Sequence, residues 1–374
     1  MGVSMLNSKE TRSKNSLVSC VANTTANCFR KISAKNTYLR HEQRNEAIRI
    51  TLVILLCMLI GKVFSFDSSV YLALYPTIVM TKVKDYAWVS LFKTFAPTFV
   101  SACVALTVVE LFQSHPFVVW TISLLFIDWM RKKADTPAKR GGLIMPIFNW
   151  ILIVIFSQFS TQSMPDRVSE ILLSMVITAC VAKLAVKLLP VTNMLNPVAF
   201  KPQKVTYQQR LVTLGLIGSG IALLMNINLL TATFCMVPVI AAATQNDRLA
   251  FKMVISRRFI TQIGGCAIAV LVSILLANHQ AIISYYALVV GAAILAIAVL
   301  MVTGENSQRE FHGDALLATV LPIQLYIGTV NMGLESIFLR AWELAVTLGI
   351  LFLLFQLSNR REPHVTDEQN GARA

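Results

Sequence analysis

The chain has 374 residues, of which 55% are hydrophobic and 14% charged, and it carries a formal net charge of +14. An ordinary soluble protein holds about 25% charged residues, so this composition excludes a soluble domain, a nucleic-acid binder and a secreted disulfide scaffold. The apolar residues fall in runs with almost no charge, at 50–60, 99–112, 151–156, 268–276 and 287–302, which is the composition of bilayer-spanning helices.

Residues 1–44 are polar, rich in Ser, Asn, Thr and Lys, and read as a disordered cytoplasmic tail. No small-residue cleavage site follows the first apolar run, so that run reads as a permanent span and not a signal peptide. Cutting at polar turns predicts spans at 47–65, 69–81, 90–112, 116–130, 143–161, 168–189, 211–226, 228–244, 255–277, 281–303, 315–331 and 336–357. Most are long enough for a ~30 Å hydrocarbon core; the second and fourth are short. The expected fold is an all-α integral membrane protein of about twelve transmembrane helices. Its segments are a tail (1–44), a six-helix unit (45–190), a cytoplasmic linker (191–208), a second six-helix unit (209–358) and a cytoplasmic tail (359–374).

With twelve spans, 30 of the 33 Lys and Arg residues fall on one face, and only Lys62, Arg167 and Arg340 on the other. Positive charge marks the cytoplasmic side, so both termini are expected inside. The run Arg131-Lys132-Lys133 reads as part of this topology signal, with a further affinity for anionic lipid.

The two six-helix units resemble each other. Arg49 opens the first span and Arg210 the seventh; Pro76 interrupts the second and Pro238 the eighth. Lys93 matches Arg257, with the small residues Ser101 and Gly265 eight positions on. Pro146 in span five matches Pro322 in span eleven, and Arg167-x-x-Glu170 opens span six as Arg340-x-x-Glu343 opens span twelve. Six spans is an even number, so the repeats are expected to be parallel, about a pseudo-two-fold axis along the membrane normal.

The Arg-x-x-Glu pairs carry the most chemistry. A spacing of three places both side chains on one helix face, and intramembrane charge usually faces a cavity or a partner. Arg167 and Arg340 are candidates for contact with an anion near the outer mouth, and Glu170 and Glu343 for proton coupling. The plainer reading is that each Glu neutralises its Arg, or that the Arg snorkels to the headgroups. Pro76 and Pro238, in matched short spans, free carbonyls that could line a binding site; a packing kink is the plainer alternative. Glu110 and Asp128 read as solvated helix-end acids. The five His and seven Cys show no metal-ligand spacing, no phosphate-binding loop is present, and no catalytic constellation stands out. Neither a cofactor nor an enzymatic activity is expected.

A basic residue opening the first span, a short proline-containing second span and an Arg-led sixth span, all repeated, resemble the fusaric acid resistance / aromatic acid exporter superfamily. The resemblance covers residues 45–358 and points to a short, membrane-only branch often labelled a domain of unknown function. It implies export of small, often aromatic, carboxylic acids or drugs across a bacterial inner membrane, driven by protons. It also implies a periplasmic adaptor of the membrane-fusion type as partner. Larger relatives carry a cytoplasmic domain after each six-helix half; here only residues 190–208 and the short tail occupy those positions.

The function expected is therefore a secondary efflux transporter for small organic anions, embedded in the bilayer, independent of nucleic acid and able to self-associate. An anion channel, or a non-transporting subunit of an adaptor or envelope complex, remains as an alternative.

Overall fold

The computed structural model describes residues 41–64, 66, 68–83, 85–159, 164–190, 202–227, 231–327 and 333–359. The tail before residue 41, most of the 191–208 linker and the residues after 359 lie outside the described residues. Among those described, all regular structure is helical. Twelve α-helices follow in order: α1 (41–63), α2 (Tyr71–Lys82), α3 (Trp88–Phe112), α4 (Pro116–Lys132), α5 (Pro137–Phe159) and α6 (Met164–Leu188). Then come α7 (Tyr207–Asn226), a 3-10 turn (Thr231–Cys235), α8 (Met236–Ala243), α9 (Arg248–Leu275), α10 (Ile283–Thr303), α11 (Asn306–Tyr326) and α12 (Leu334–Asn359).

Local chemistry sets the ends. Pro116 and Pro137 occupy first-turn positions, where the missing N–H costs nothing. Gln209 accepts a hydrogen bond from the Thr206 N–H at 3.0 Å and fixes the start of α7. Asn278, in the α9–α10 turn, has a φ of 62°, a left-handed conformation that Asn tolerates. Gly333 has a φ of 64°, and a Cβ there would stand 2.6 Å from the Tyr326 carbonyl oxygen. Only glycine lets the start of α12 fold back so closely onto the end of α11.

Seven helices (α3, α5, α6, α7, α9, α10 and α12) are long and apolar enough to cross a bilayer, which makes this a multi-pass membrane protein by length and composition. A helix stands at each of the twelve expected places, with shifted bounds. α2 has 12 residues and α8 has 8, the latter preceded by the 3-10 turn; at about 1.5 Å per residue neither covers a ~30 Å core. Conversely, α5, α9 and α11 begin six to nine residues earlier than the apolar runs suggest. Their first turns are charged but contain good helix formers, so polarity ends the apolar run without ending the helix.

Burial separates a core from a shell. Every residue of α8 is buried, as are nine positions of α2 and most of the second half of α5. The apolar windows of α3, α7 and α12 are only 28% buried, against 61% for α5, so those three present most of their surface outward. In α11, Leu316, Ala318, Thr319, Val320, Leu321, Ile323 and Gln324 are all buried.

The packing follows one pattern in both parts of the chain. α3 packs on α5 and on α6, and α9 packs on α11 and on α12; α4 lies against α5, and α10 against α11. α2 packs on α6, and the 3-10 turn and α8 pack on α12. Across the middle, α5 packs on α8 and α11 on α2. The fourth helix of each part holds the first helix of the other. α4 packs on α7, and on α10 the Gly291 backbone admits Leu55 of α1 so closely that a Cβ there would meet it at 3.1 Å.

Candidate functional site

The four central helices α2, α5, α8 and α11 contain Pro76, Pro146, Pro238 and Pro322. Pro238 is the third residue of α8, where the N–H has no intrahelical partner to lose. Pro76, Pro146 and Pro322 each remove one intrahelical hydrogen bond and leave the carbonyl four residues back without its donor. For Pro322 that carbonyl belongs to Ala318, and Gly265 of α9 covers it: a Cβ on Gly265 would lie 2.5 Å from the Ala318 Cβ and 3.0 Å from its oxygen. At the matching α3–α5 crossing, the Ser101 hydroxyl donates to the Pro146 carbonyl at 2.6 Å. Pro76 and Pro238 are buried among core side chains.

At one end of this column stand Arg167 and Arg340. Arg167 is 8% exposed and its guanidinium lies over the Phe156 ring of α5 at 4.1 Å. Arg340 is 2% exposed and lies over the Phe234 ring, just before α8, at 5.2 Å. Each also meets a phenol: Tyr71 of α2 faces Arg167, and Tyr326 of α11 faces Arg340. Both arginines thus sit between the same two kinds of helix, with the aromatic ring and the hydroxyl exchanged between them. Their burial does not fit snorkelling, which would carry the guanidinium out to the headgroups. Nε and Nη1 of Arg340 are buried without a hydrogen-bond partner, a costly arrangement that leaves donors for an anion.

The glutamates differ. Glu170 accepts a hydrogen bond from the Ser68 N–H at 3.0 Å, tying α6 to the entry of α2, and it also influences Tyr71. Glu343 has a buried Oε2 and lies close enough to Tyr326 and Cys235 to act on both. Between this end and the other, the column is filled. Tyr71 stacks on Tyr75 at 5.8 Å, Asn149 Nδ2 donates to the Tyr75 hydroxyl at 3.3 Å, and Phe148 meets Phe234 at 5.7 Å.

At the opposite end of the same four helices is a cavity of about 230 Å³, lined by residues of α2, α5, α8, α9 and α11. Lys82, Arg140, Arg257 and Arg258 contribute four cations, and Glu310 and Asp314 two acids. Asp314 is buried; Arg257 Nη2 bonds it at 2.9 Å, and Arg258 and Lys82 approach it at 3.6 and 3.8 Å. Arg257 also pairs with Glu310 at 2.8 Å. Counting along α2 from Tyr71 to Lys82, and along α11 from Tyr326 to Asp314, the two charged ends are roughly 16–18 Å apart.

Sequence reasoning missed this second cluster by assigning its cations to membrane topology. The readable signals were Arg257 and Arg258, two residues inside the expected ninth span, and Asp314 at the edge of the eleventh. Arg131, read as a topology and lipid signal, turns inward instead. It is fully buried, its Nη2 donates to Asn246 Oδ1 at 2.6 Å and its Nε to Thr213 at 3.3 Å. Asp128, read as a solvated acid, is bound by Arg210 of α7 through two hydrogen bonds. Glu110 is exposed, as its helix-end position suggests. Lys62 lies over the Tyr286 ring at 4.0 Å. No group of metal-binding side chains occurs among the described residues.

Residues 46–185 match a family described as a protein of unknown function (DUF2955). The matched segment begins within α1 and ends three residues before the end of α6. No curated protein matches the chain, and no solved structure does either.

Proposed function

We propose that this chain is a secondary efflux transporter for small organic anions, aromatic carboxylates among them, working in a bacterial inner membrane with its basic end and both termini in the cytoplasm. One observation carries the reading: two clusters of buried or half-buried arginines lie at opposite ends of the same four proline-containing helices. A route for an anion needs favourable charge at both mouths and an interruptible core between them. The filled aromatic core supports alternating access over a permanently open pore.

In this reading the twelve helices form two parallel six-helix repeats. Support comes from the shared packing pattern, from the matched Ser101 and Gly265 crossings, and from a family match that spans the first unit alone. Arg167 and Arg340 receive the anion at the outer end, and Glu170 and Glu343 couple its movement to protons. The short outer turns leave a periplasmic adaptor of the membrane-fusion type as the partner that would carry substrate onward.

Proteoliposomes with labelled benzoate test this, with and without an imposed pH gradient. Accumulation against the benzoate gradient that collapses with an uncoupler is the expected result. Glu170→Gln and Glu343→Gln should then abolish pH-driven accumulation while downhill exchange persists. Downhill flux that follows voltage and ignores pH would replace the transporter with a channel. Absence of benzoate flux under every gradient would favour a non-transporting subunit.

A further inference from the structure

The cavity at the basic end has a charge balance and a shape that the topology of the chain does not require. A positive-inside signal is satisfied by exposed lysines and arginines on turns. Here the cations form a graded set. Lys82 is half exposed at the rim, Arg257 is a quarter exposed, and Arg258 is 9% exposed at the inner wall. Against four cations stand two acids, and Glu310 is largely exposed. The formal surplus is two positive charges around a small, half-open space.

That surplus is not absorbed by hydrogen bonds. Arg258 Nη1 is buried without a partner, and its Nη2 approaches Asp314 only at 3.6 Å, beyond hydrogen-bonding distance. Arg140 Nε is likewise buried without a hydrogen-bond partner. An uncompensated buried guanidinium is costly, and an anion in the cavity would relieve that cost. The remaining wall is mixed: Pro137, Ile144 and Val254 give it an apolar side, and Thr244 and Gln245 add neutral polar groups. At about 230 Å³, the space lies below the ~300–1,000 Å³ of sites for drug-sized ligands. The chemistry that fits is one carboxylate on a short apolar body.

We propose that this cavity is the loading site for a small monocarboxylate, whose carboxylate binds Arg258 Nη1 with Arg140 and Lys82, and that Asp314 is a resident acid opposing it. The loading role rests on the transport reading above; the binding does not. Asp314 keeps Arg257 oriented through the 2.9 Å bond and lowers the field at Arg258 by its own charge. It therefore weakens retention of the anion, which lets the site release its ligand as well as take it up. Lys82 and Arg257, toward the rim, raise the local concentration of anions at the mouth.

The test is equilibrium binding of labelled benzoate to the full chain in lipid nanodiscs, with acetate, inorganic phosphate and neutral benzamide as competitors. Benzoate should bind saturably, acetate should compete weakly, and benzamide should not compete. Arg258→Gln should weaken benzoate by about tenfold or more, as expected for loss of a charge-assisted hydrogen bond. Arg258→Lys should recover part of that loss. Asp314→Asn should tighten binding several-fold, a direction that a purely structural acid would not give. Lys133→Gln removes a basic-end cation that lies over Trp129 outside the cavity, and should change nothing.

Unchanged benzoate affinity in Arg258→Gln would overturn the site, as would weaker binding in a folded Asp314→Asn protein. If Arg258→Gln does not fold, Arg258→Lys and Asp314→Asn decide the matter alone. Phosphate binding tighter than benzoate would overturn the carboxylate assignment in favour of an inorganic or lipid phosphate. Benzoate binding that depends on Arg258, in a protein that moves no anion, would leave the site standing and remove the transport reading. Transport that ignores Arg258→Gln would do the reverse.

Discussion

The first six helices and the last six place the same elements at the same crossings with different chemistry. Where α3 meets α5, a serine hydroxyl bonds the carbonyl of Pro146 at 2.6 Å. Where α9 meets α11, a glycine admits the backbone of Ala318 into the space a side chain would occupy. Arg210 of α7 is bound to Asp128, whereas Arg49 of α1 donates to the Leu189 carbonyl at 3.0 Å. Arg167 takes its ring from α5 and its hydroxyl from α2; Arg340 takes its ring from beside α8 and its hydroxyl from α11. In the two-repeat reading proposed above, what the parts share is the need at each place: close approach, a partner for a cation, a flat apolar surface. On that reading the residues that meet the need are interchangeable, so the similarity is weak residue by residue and clearer in the packing.

Gly265→Leu should produce the largest effect. Its Cβ would stand 2.5–3.0 Å from Ala318 atoms, two of them backbone, so no side-chain rotation relieves the overlap. Overpacking commonly costs ~1–3 kcal/mol, and contact with backbone should reach the top of that range or beyond. Fluorescence-detected size-exclusion should show loss of monodisperse protein. Ala318→Gly in the same chain should restore part of it, and a well-folded single variant would show that the crossing is not the tight one.

Arg340→Gln and Arg167→Gln come next, read as benzoate transport in proteoliposomes. A charge-assisted bond is worth ~1.5–3 kcal/mol, so each should lower the initial rate by about ten- to a hundredfold. Arg340, at 2% exposure with two unpartnered nitrogens, should show the larger loss. Equal and negligible effects in folded protein would remove both residues from the anion path.

The helices were legible because apolar runs and their interruptions are written in composition. All twelve appear where such runs occur, and Pro76, Pro146, Pro238 and Pro322 could be matched before any packing was known. What periodicity could not carry was inward direction. Arg131 and Arg257 read as positive-inside charge because a residue near a helix end can face lipid, water or the neighbouring helix without any change in sequence. Its direction is set by Asn246, Thr213 and Asp314, which lie 57 to 115 residues away along the chain. The helical first turns of α9 and α11 were hidden for a related reason. Hydropathy measures transfer into lipid, and these turns are helical at the water-facing end.

A smaller effect sharpens the comparison between Arg210 and Arg49. Asp128→Asn removes the acid that grips Arg210, and both side chains are about a quarter exposed. Solvent screening keeps such a pair weak, so thermal unfolding in detergent should shift only modestly, and the shift should shrink at high salt. Arg49→Gln gives up a bond to a carbonyl, and its effect should be similar in size but insensitive to salt.

Ser101→Ala closes the series. It removes the donor to the Pro146 carbonyl and leaves the α3–α5 contact otherwise intact. Hydrogen bonds between membrane helices average ~0.6 kcal/mol in mutant cycles, so the destabilisation should be barely measurable by thermal unfolding. The informative variant is Ser101→Gly, which copies into the first six helices the solution used at Gly265. If the two crossings serve one purpose, Ser101→Gly should stay within a few tenths of a kcal/mol of Ser101→Ala, since closer approach compensates for the lost bond. A markedly less stable Ser101→Gly would mean that α3 cannot move toward α5. The crossings would then be similar in place and different in mechanism, and the hydroxyl, rather than the small size, would be the feature that matters at position 101.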